Sequence, residues 1–367
     1  MKILLIGEYS NVHATLAKGL RELGHEVTVV SNGDFWKDYP RNIDVTRPKG
    51  RLGGLRLLTK VYMLLYRLSG YDIVQLINPM FFELKAERLF HIYRTLRRQN
   101  GKVVLGAFGM DWYWVHTCCT EKPLRYSDFN FGNQLRNDEA AIKERRDWLG
   151  TDKERLNRMI ADDADGIVTG LYEYDVCYRP HFPDKTIFIP YPIEPVQQYT
   201  RPLPADNVPL RLFVGISKNR SAYKGTDIML QAAEDIVAHY PGRVILKKAE
   251  GIPFDQYQQM MNDSDAILDQ LYSYTPSMNP LLAMSKGIIC IGGGEPENYD
   301  ILGEHELRPI VNVLPTYESV YHELEQLVLH PERVPELKRQ SVEYIRRHHD
   351  YIKVARQYEN FYEKLNN

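Results

Sequence analysis

Residues 265–300, DAILDQLYSYTPSMNPLLAMSKGIICIGGGEPENYD, carry the groups best suited to anion chemistry. A short apolar run at 266–268 reads as a buried parallel strand, and an irregular loop covers 270–278. Asn279 is a good helix N-cap, Pro280 suits the first helical position, Lys286 favours the last turn, and Gly287 suits the residue just past it. A second apolar run, 288–291, completes a strand–loop–helix–strand unit. Open parallel sheets bind ligands at the carboxyl ends of their strands, where the 281–286 helix begins. Its N–H groups and roughly half a unit of positive charge suit a phosphate. The same unit also occurs where nothing binds, so it needs support from elsewhere in the chain.

Other reactive patterns are weaker. Asp163 with Asp165, and Asp263 with Asp265, match the text of a D-x-D metal motif. Both precede apolar runs and so fall at the amino edge of a sheet, away from ligand. His348, His349 and Asp350 lie between two helical patterns and read as a helix break. No Ser/His/Asp or Cys/His nucleophile set can be placed. Cys118, Cys119, Cys177 and Cys290 show no CxxC spacing, which points to a reducing compartment without disulfides or zinc. No metal and no other cofactor is expected.

These groups need a large scaffold. The chain has 367 residues, more than one core usually organises, so an α/β protein of two domains is expected. A net charge of −2 gives no field for nucleic acid. Residues 47–102 are locally basic, with 12 Lys and Arg against 3 acidic residues. No signal peptide and no apolar run of about 20 residues is found, so a cytoplasmic, soluble chain is expected.

Strands are expected at 2–7, 26–30, 72–77, 102–108, 165–170 and 186–189, then at 210–216, 243–247, 266–268, 288–291 and 309–313. Helical patterns fill the intervals, among them 13–23, 54–69, 85–102, 226–240 and 351–364. The opening unit keeps only Gly7 of G-x-G-x-x-G, which disfavours a dinucleotide and a nicotinamide oxidoreductase. Gly109-Met110-Asp111 falls at the ligand edge, making Asp111 a candidate carboxylate. The 54–69 helix mixes a wide apolar face with Arg56, Lys60 and Arg67. It packs on the sheet, or rests on anionic lipid together with the basic 85–102 helix. Residues 112–150 hold Trp112, Trp114 and Trp148 with Tyr126, Phe129 and Phe131. These rings stack on sugars or form the core of an insertion. Prolines at 190, 192, 195, 202, 204 and 209 place the domain boundary at 195–208.

Several stretches together resemble a known family. They are LAKGLRELGHEVTVVS after the first strand, IPYPI before the boundary, Arg220 and Lys224-Gly225 before a long helix, and LLAMSKG after Asp269-Gln270. The family is the two-Rossmann-domain (GT-B type) nucleotide-sugar glycosyltransferases, in particular the retaining family-4, group 1 members. The resemblance spans nearly the whole chain. It implies an acceptor-binding domain at 1–195 and a nucleotide-sugar domain at 205–347, facing each other across a cleft, with the terminal helix 350–367 crossing back to the first. It implies that Arg220, Lys224 and Gly225 hold the donor diphosphate, where fixed cations absorb the charge of a departing nucleotide without a metal. Ile252 and Pro253 would pass the nucleotide base, and backbone amides near Asn279, Leu281 and Leu282 would assist. The loop with Tyr9, Ser10 and Asn11 would line the acceptor side. His13, Asp111 and Trp112 would orient acceptor or donor sugar.

One departure matters. The family carries two glutamates eight positions apart, the first by the donor sugar and the second on the ribose. Tyr274 and Leu282 stand at those positions, and Asn279 and Glu295 are the polar substitutes at hand. The expected activity is transfer of a sugar from a UDP- or GDP-linked donor to a glycan or lipid-linked acceptor, with retention. Surface polysaccharide synthesis at the inner face of the membrane is the expected setting. The alternative is an altered or inactive member that only binds nucleotide sugar or glycan.

Overall fold

The structure, a computed structural model, describes residues 1–195, 209–216 and 221–366. In chain order its strands are β1 (Lys2–Ile6), β2 (Glu26–Ser31), β3 (Ile43–Asp44), β4 (Ile73–Leu76), β5 (Lys102–Ala107), β6 (Asn130–Phe131) and β7 (Gln134–Leu135). They continue with β8 (Gly166–Thr169), β9 (Thr186–Phe188), β10 (Leu210–Ile216), β11 (Val244–Glu250), β12 (Ala266–Leu268), β13 (Ile289–Gly292) and β14 (Val311–Asn312). The chain divides into two compact units. One is Met1–Pro123, Lys143–Pro192 and Tyr351–Asn367; the other is Leu124–Ile142 and Ile193–Asp350.

The first unit is built on a parallel sheet in the order β3-β2-β1-β4-β5-β8-β9. Ile3, Leu4, Leu5, Val74 and Leu105 are wholly buried, as strands covered by helices on both faces must be. The helix Tyr351–Asn366 packs here on the helix Val12–Glu22, as the resemblance implied. Gly19 permits this contact, because a Cβ there would lie 2.6 Å from the Tyr351 carbonyl oxygen. Tyr351 donates to Glu22 (2.7 Å), and His25 meets Glu359 (2.8 Å).

The second unit has a parallel sheet in the order β11-β10-β12-β13-β14. Leu212, Val214, Leu268, Ile289 and Ile291 pack with the helix faces of Met229, Ile236 and Leu324. Residues 124–142 belong to this unit and not to the expected 1–195 domain. They carry the antiparallel pair β6–β7, too short to show a strand period. The two units divide between Pro192 and Ile193, whereas the expected boundary, 195–208, falls beyond residue 195 on the undescribed stretch 196–208. The break expected at 348–350 is a π-helical turn, Ile345–His349. There His348 and Arg347 grip the buried Glu304 at 2.6 and 3.2 Å.

The two D-x-D matches are structural. Asp163 accepts from Tyr93 (2.7 Å), and Asp165 accepts from the Val103 N–H (2.8 Å) and pairs with Arg97. Asp265 pairs with Arg211 and Lys338. Among the described residues no cluster of His, Cys, Asp or Glu could hold a metal.

Candidate functional site

The residues expected to hold the donor follow the carboxyl ends of β10, β12 and β13 in the second unit. Arg220 follows β10 but lies outside the described residues. Ser221–Lys224 forms one helical turn, and Thr226–His239 follows as a long helix. Between them Gly225 has φ +73°, and a Cβ there would lie 2.9 Å from Leu271. Glycine is required on both counts, conformation and space. The Leu271 N–H donates to the Lys224 carbonyl (2.9 Å), so the lysine turn is fastened to the loop after β12. Asp269 follows β12 directly. Burial pushes its carboxyl up to about 6, against the pull of the Lys224 charge.

The opening stretch folds as one strand–loop–helix–strand unit, with the helix at Met278–Ser285 and Ser277 at the N-cap position, where its side chain makes no capping hydrogen bond. It therefore starts before Asn279, which was expected as the cap. The Leu281 N–H is already spent on the Ser277 carbonyl (3.1 Å), so the first turn falls on Met278 and Asn279 and not on Leu281 or Leu282. The Asn279 amide donates to Tyr257 (3.0 Å). Leu281 is buried, Leu282 half-buried and Pro253 exposed, while Ile252 packs against Phe213, Ala249 and Met261.

Tyr274 and Glu295 are drawn into a polar cluster by residues 125–126. The Arg125 N–H donates to the Tyr274 hydroxyl (2.7 Å), and its guanidinium lies 4.8 Å from that ring. Arg125 Nη2 donates to Glu295 (2.8 Å), and Arg125 also pairs with Glu297. Tyr126 donates its hydroxyl to Glu295. A Cβ on Gly293 would lie 2.1 Å from the Ser273 carbonyl oxygen, so the loops after β12 and β13 touch backbone to backbone. Glu295 is thus an anchored carboxylate that holds residues 125–126 in place. Periodicity carried no signal for this segment; its only mark was the aromatic content of 112–150.

In the first unit a cleft of about 1040 Å³ opens at the carboxyl ends of β1, β4 and β5. Its walls include Glu8, Tyr9, Asn78, Met80, Arg47 and Lys153. Of the residues expected to face the acceptor, Tyr9 lines it. Ser10 and Asn11 take the left-handed conformation, φ 52° and 76°. The Ser10 N–H donates to Asp34 (2.9 Å), and its hydroxyl accepts from Lys37 (3.2 Å). The N-terminus of the Val12–Glu22 helix is filled by Glu8, which accepts from the His13 and Ala14 N–H groups at 3.2 and 2.8 Å. Burial nevertheless pushes the Glu8 carboxyl up to about 7.

His13 and Asp111 are corrected from substrate contacts to internal positions. His13 is 0% exposed. Nδ1–H donates to the Gly7 carbonyl (2.8 Å), and Nε2 accepts from Gln75 (3.2 Å), whose carbonyl accepts from Tyr362 (2.6 Å). Burial lowers the imidazole to about 3, so the ring is neutral and both nitrogens are used. Asp111 is also 0% exposed. It caps the helix Trp112–Thr120 through the Trp114 N–H (2.8 Å) and accepts from Tyr178 (2.7 Å). Burial pushes its carboxyl up to about 7. Trp112 stacks on His116 at 4.4 Å and is buried, so it belongs to the small-core reading of the aromatic segment.

No protein-family model and no curated protein matches the chain. Solved structures do. Sucrose-phosphate synthase from Thermosynechococcus elongatus is 14% identical with a TM-score of 0.60, over 100% of this chain and 99% of its own. Anabaena HepE in complex with UDP and glucose is 12% identical, TM-score 0.60, over 99% and 100%. UDP-GlcNAc 2-epimerase from Neisseria meningitidis, bound to UDP-GlcNAc, is 12% identical, TM-score 0.55, over 99% and 100%. The chain has the GT-B fold, with two Rossmann-like domains, that nucleotide-sugar glycosyltransferases use.

Proposed function

We propose that this chain is a glycosyltransferase that takes a UDP- or GDP-linked sugar to a glycan or lipid-linked acceptor. The observation that carries the reading is the Lys224-Gly225 turn. It stands at the carboxyl end of β10, opens a long helix, and is locked to the loop after β12. Similarity to structures holding UDP, glucose and UDP-GlcNAc supports the donor class. Lys224, with Arg220 by resemblance, would neutralise the departing diphosphate. With retention, and with Tyr274 and Leu282 at the two family glutamate positions, the acceptor hydroxyl attacks on the face of the leaving diphosphate. That group then takes the hydroxyl proton.

A second reading, a nucleotide-sugar or glycan binder without turnover, is favoured by one observation. Tyr274 and Leu282 replace both family glutamates, and Glu295 is held by Arg125 and Tyr126. One experiment separates the two readings. Wild-type protein is expected to gain thermal stability with UDP or GDP and to release nucleotide from the matching sugar donor when an acceptor is added. A thermal shift without release under any acceptor leaves the binder; no shift with either nucleotide ends the transferase reading and the nucleotide-sugar binder with it.

A membrane setting for the acceptor is supported by the helix Gly53–Leu65. Leu57, Val61 and Leu65 face the core, yet Leu55, Met63 and the following Tyr66 are 60%, 68% and 86% exposed. Arg51, Arg56 and Arg67 stand among them, and the helix start borders the 1040 Å³ cleft. Exposed apolar side chains beside cations suit an anionic interface. No helix among the described residues is long and apolar enough to cross a membrane. Vesicles containing phosphatidylglycerol are expected to retain the protein at low salt, and replacing Leu55 and Met63 by aspartate should abolish retention. A wild-type protein that stays unbound at every salt concentration removes the membrane from the proposal.

A further inference from the structure

We propose that Arg136 is the positioning residue for Lys224, so that the β6–β7 segment laid on the second unit sets diphosphate affinity without touching the diphosphate. This rests on the donor reading of Lys224 given above. Arg136 follows β7, and its side chain is 9% exposed. Nη2 donates to the carbonyls of Ala222 (2.9 Å) and Tyr223 (3.1 Å), the two residues before Lys224. Nη1 donates to the Ser127 carbonyl in its own segment (3.2 Å). Asp138 lies 3.2 Å away and balances the charge.

The flat face of the guanidinium is 3.4 Å from the centre of the Tyr272 ring, in the loop whose Leu271 holds the Lys224 carbonyl. Tyr223 completes the clamp, its hydroxyl donating to Asp128 (2.7 Å). One side chain therefore joins three pieces: the lysine turn, the loop after β12, and the β6–β7 segment. A single helical turn such as Ser221–Lys224 is not stable alone, because one turn fixes several dihedrals for little return. A cation on its terminal carbonyls also opposes the negative end of the helix. Only a guanidinium offers in-plane donors and a stacking face together, so lysine is no substitute. With the turn held before ligand arrives, less ordering is left for binding to supply.

The test is a double-mutant cycle on the full chain, with affinity for UDP, or for GDP if UDP does not bind, read by calorimetry. Arg136→Ala is expected to weaken binding about fivefold, and Arg136→Lys nearly as much, because the loss is in positioning. In a Lys224→Ala background the same change should cost less than about twofold, since no ammonium remains to be placed. A merely structural role would lower affinity equally in both backgrounds. If Arg136→Ala does not fold, Tyr272→Leu removes the stacking face alone and should show the same background dependence. Lys224→Ala without effect sinks the donor reading. A Lys224→Ala loss with Arg136→Ala silent, or with the two losses simply adding, overturns the positioning role and leaves the donor reading standing.

Discussion

Replacing Arg220 and Lys224 together by alanine is expected to weaken UDP or GDP binding by at least about tenfold. A hydrogen bond to a charged group contributes roughly 1.5–3 kcal/mol, and about 1.4 kcal/mol is a factor of ten. Loss of either cation alone therefore reaches the threshold, and tenfold is a floor for the pair. Asp269 gives the effect a pH dependence. Its carboxyl sits at about 6, raised by burial and lowered by Lys224. Without Lys224 that lowering is gone, so at pH 8 a diphosphate held at this turn would meet the ionised carboxylate uncompensated. Nearer pH 6 a larger fraction is protonated and the repulsion eases. The loss should accordingly be greater at pH 8 than at pH 6, and greater at low salt, where exposed charges are least screened. Titration calorimetry of wild type and double variant at both pH values is the measurement, and equal affinities would remove the donor-site assignment.

Both sheets were legible because buried parallel strands are short apolar runs. The expected strands at 210–216 and 266–268 match β10 and β12 residue for residue. The long helix after Lys224-Gly225 was legible too, beginning at Thr226 as expected, whereas the part given to Lys224 came from the resemblance. What escaped was set by partners far along the chain. His13 sits on the first turn of an amphipathic helix, as periodicity said. Nothing local shows that Gln75, 62 residues on, accepts it into the interior. Asp111 reads as an edge carboxylate until Tyr178, 67 residues away, covers it. Glu295 reads as a free acid until Arg125 and Tyr126 arrive from 169 or 170 residues upstream. The strands β6 and β7 are two residues each, too short for any alternation to appear. Local pattern thus located the scaffold, while the polar assignments depended on tertiary pairing.

Asp265→Ala is expected to cost about 3–5 kcal/mol in the stability of the second unit, the range for removing one partner of a buried ion pair. Asp265 is 0% exposed and stands just before β12. It accepts from the Arg211 N–H (3.0 Å) and Nε (2.9 Å) on β10, and from Lys338 Nζ (2.5 Å) on the helix Arg333–Tyr344. Lys338 is 2% exposed, so deletion of the carboxylate takes from a buried ammonium its partner at 2.5 Å. Arg211, at 28% side-chain exposure, can turn to water. The pairing of Lys338 and Asp265 is therefore the costly one. Asp265→Val combined with Lys338→Met should recover at least about half the loss, because an apolar replacement of the whole pair carries no stranded charge. Acid gives an independent check. Burial pushes the Asp265 carboxyl up, but Arg211 and Lys338 more than reverse this and hold it below its ordinary 3.8. A depressed folded value means stability that is fully present above the unfolded pKa and is lost as pH falls through the folded one. Wild type should thus shed this contribution below about pH 4, while the double variant has none to shed. Hydrogen exchange of the β12 amides in urea, at pH 7 and pH 3, reads both effects. A single-variant loss under about 1 kcal/mol, or an acid response unchanged in the double variant, would show that the triad is not what fastens β10, β12 and the helix together.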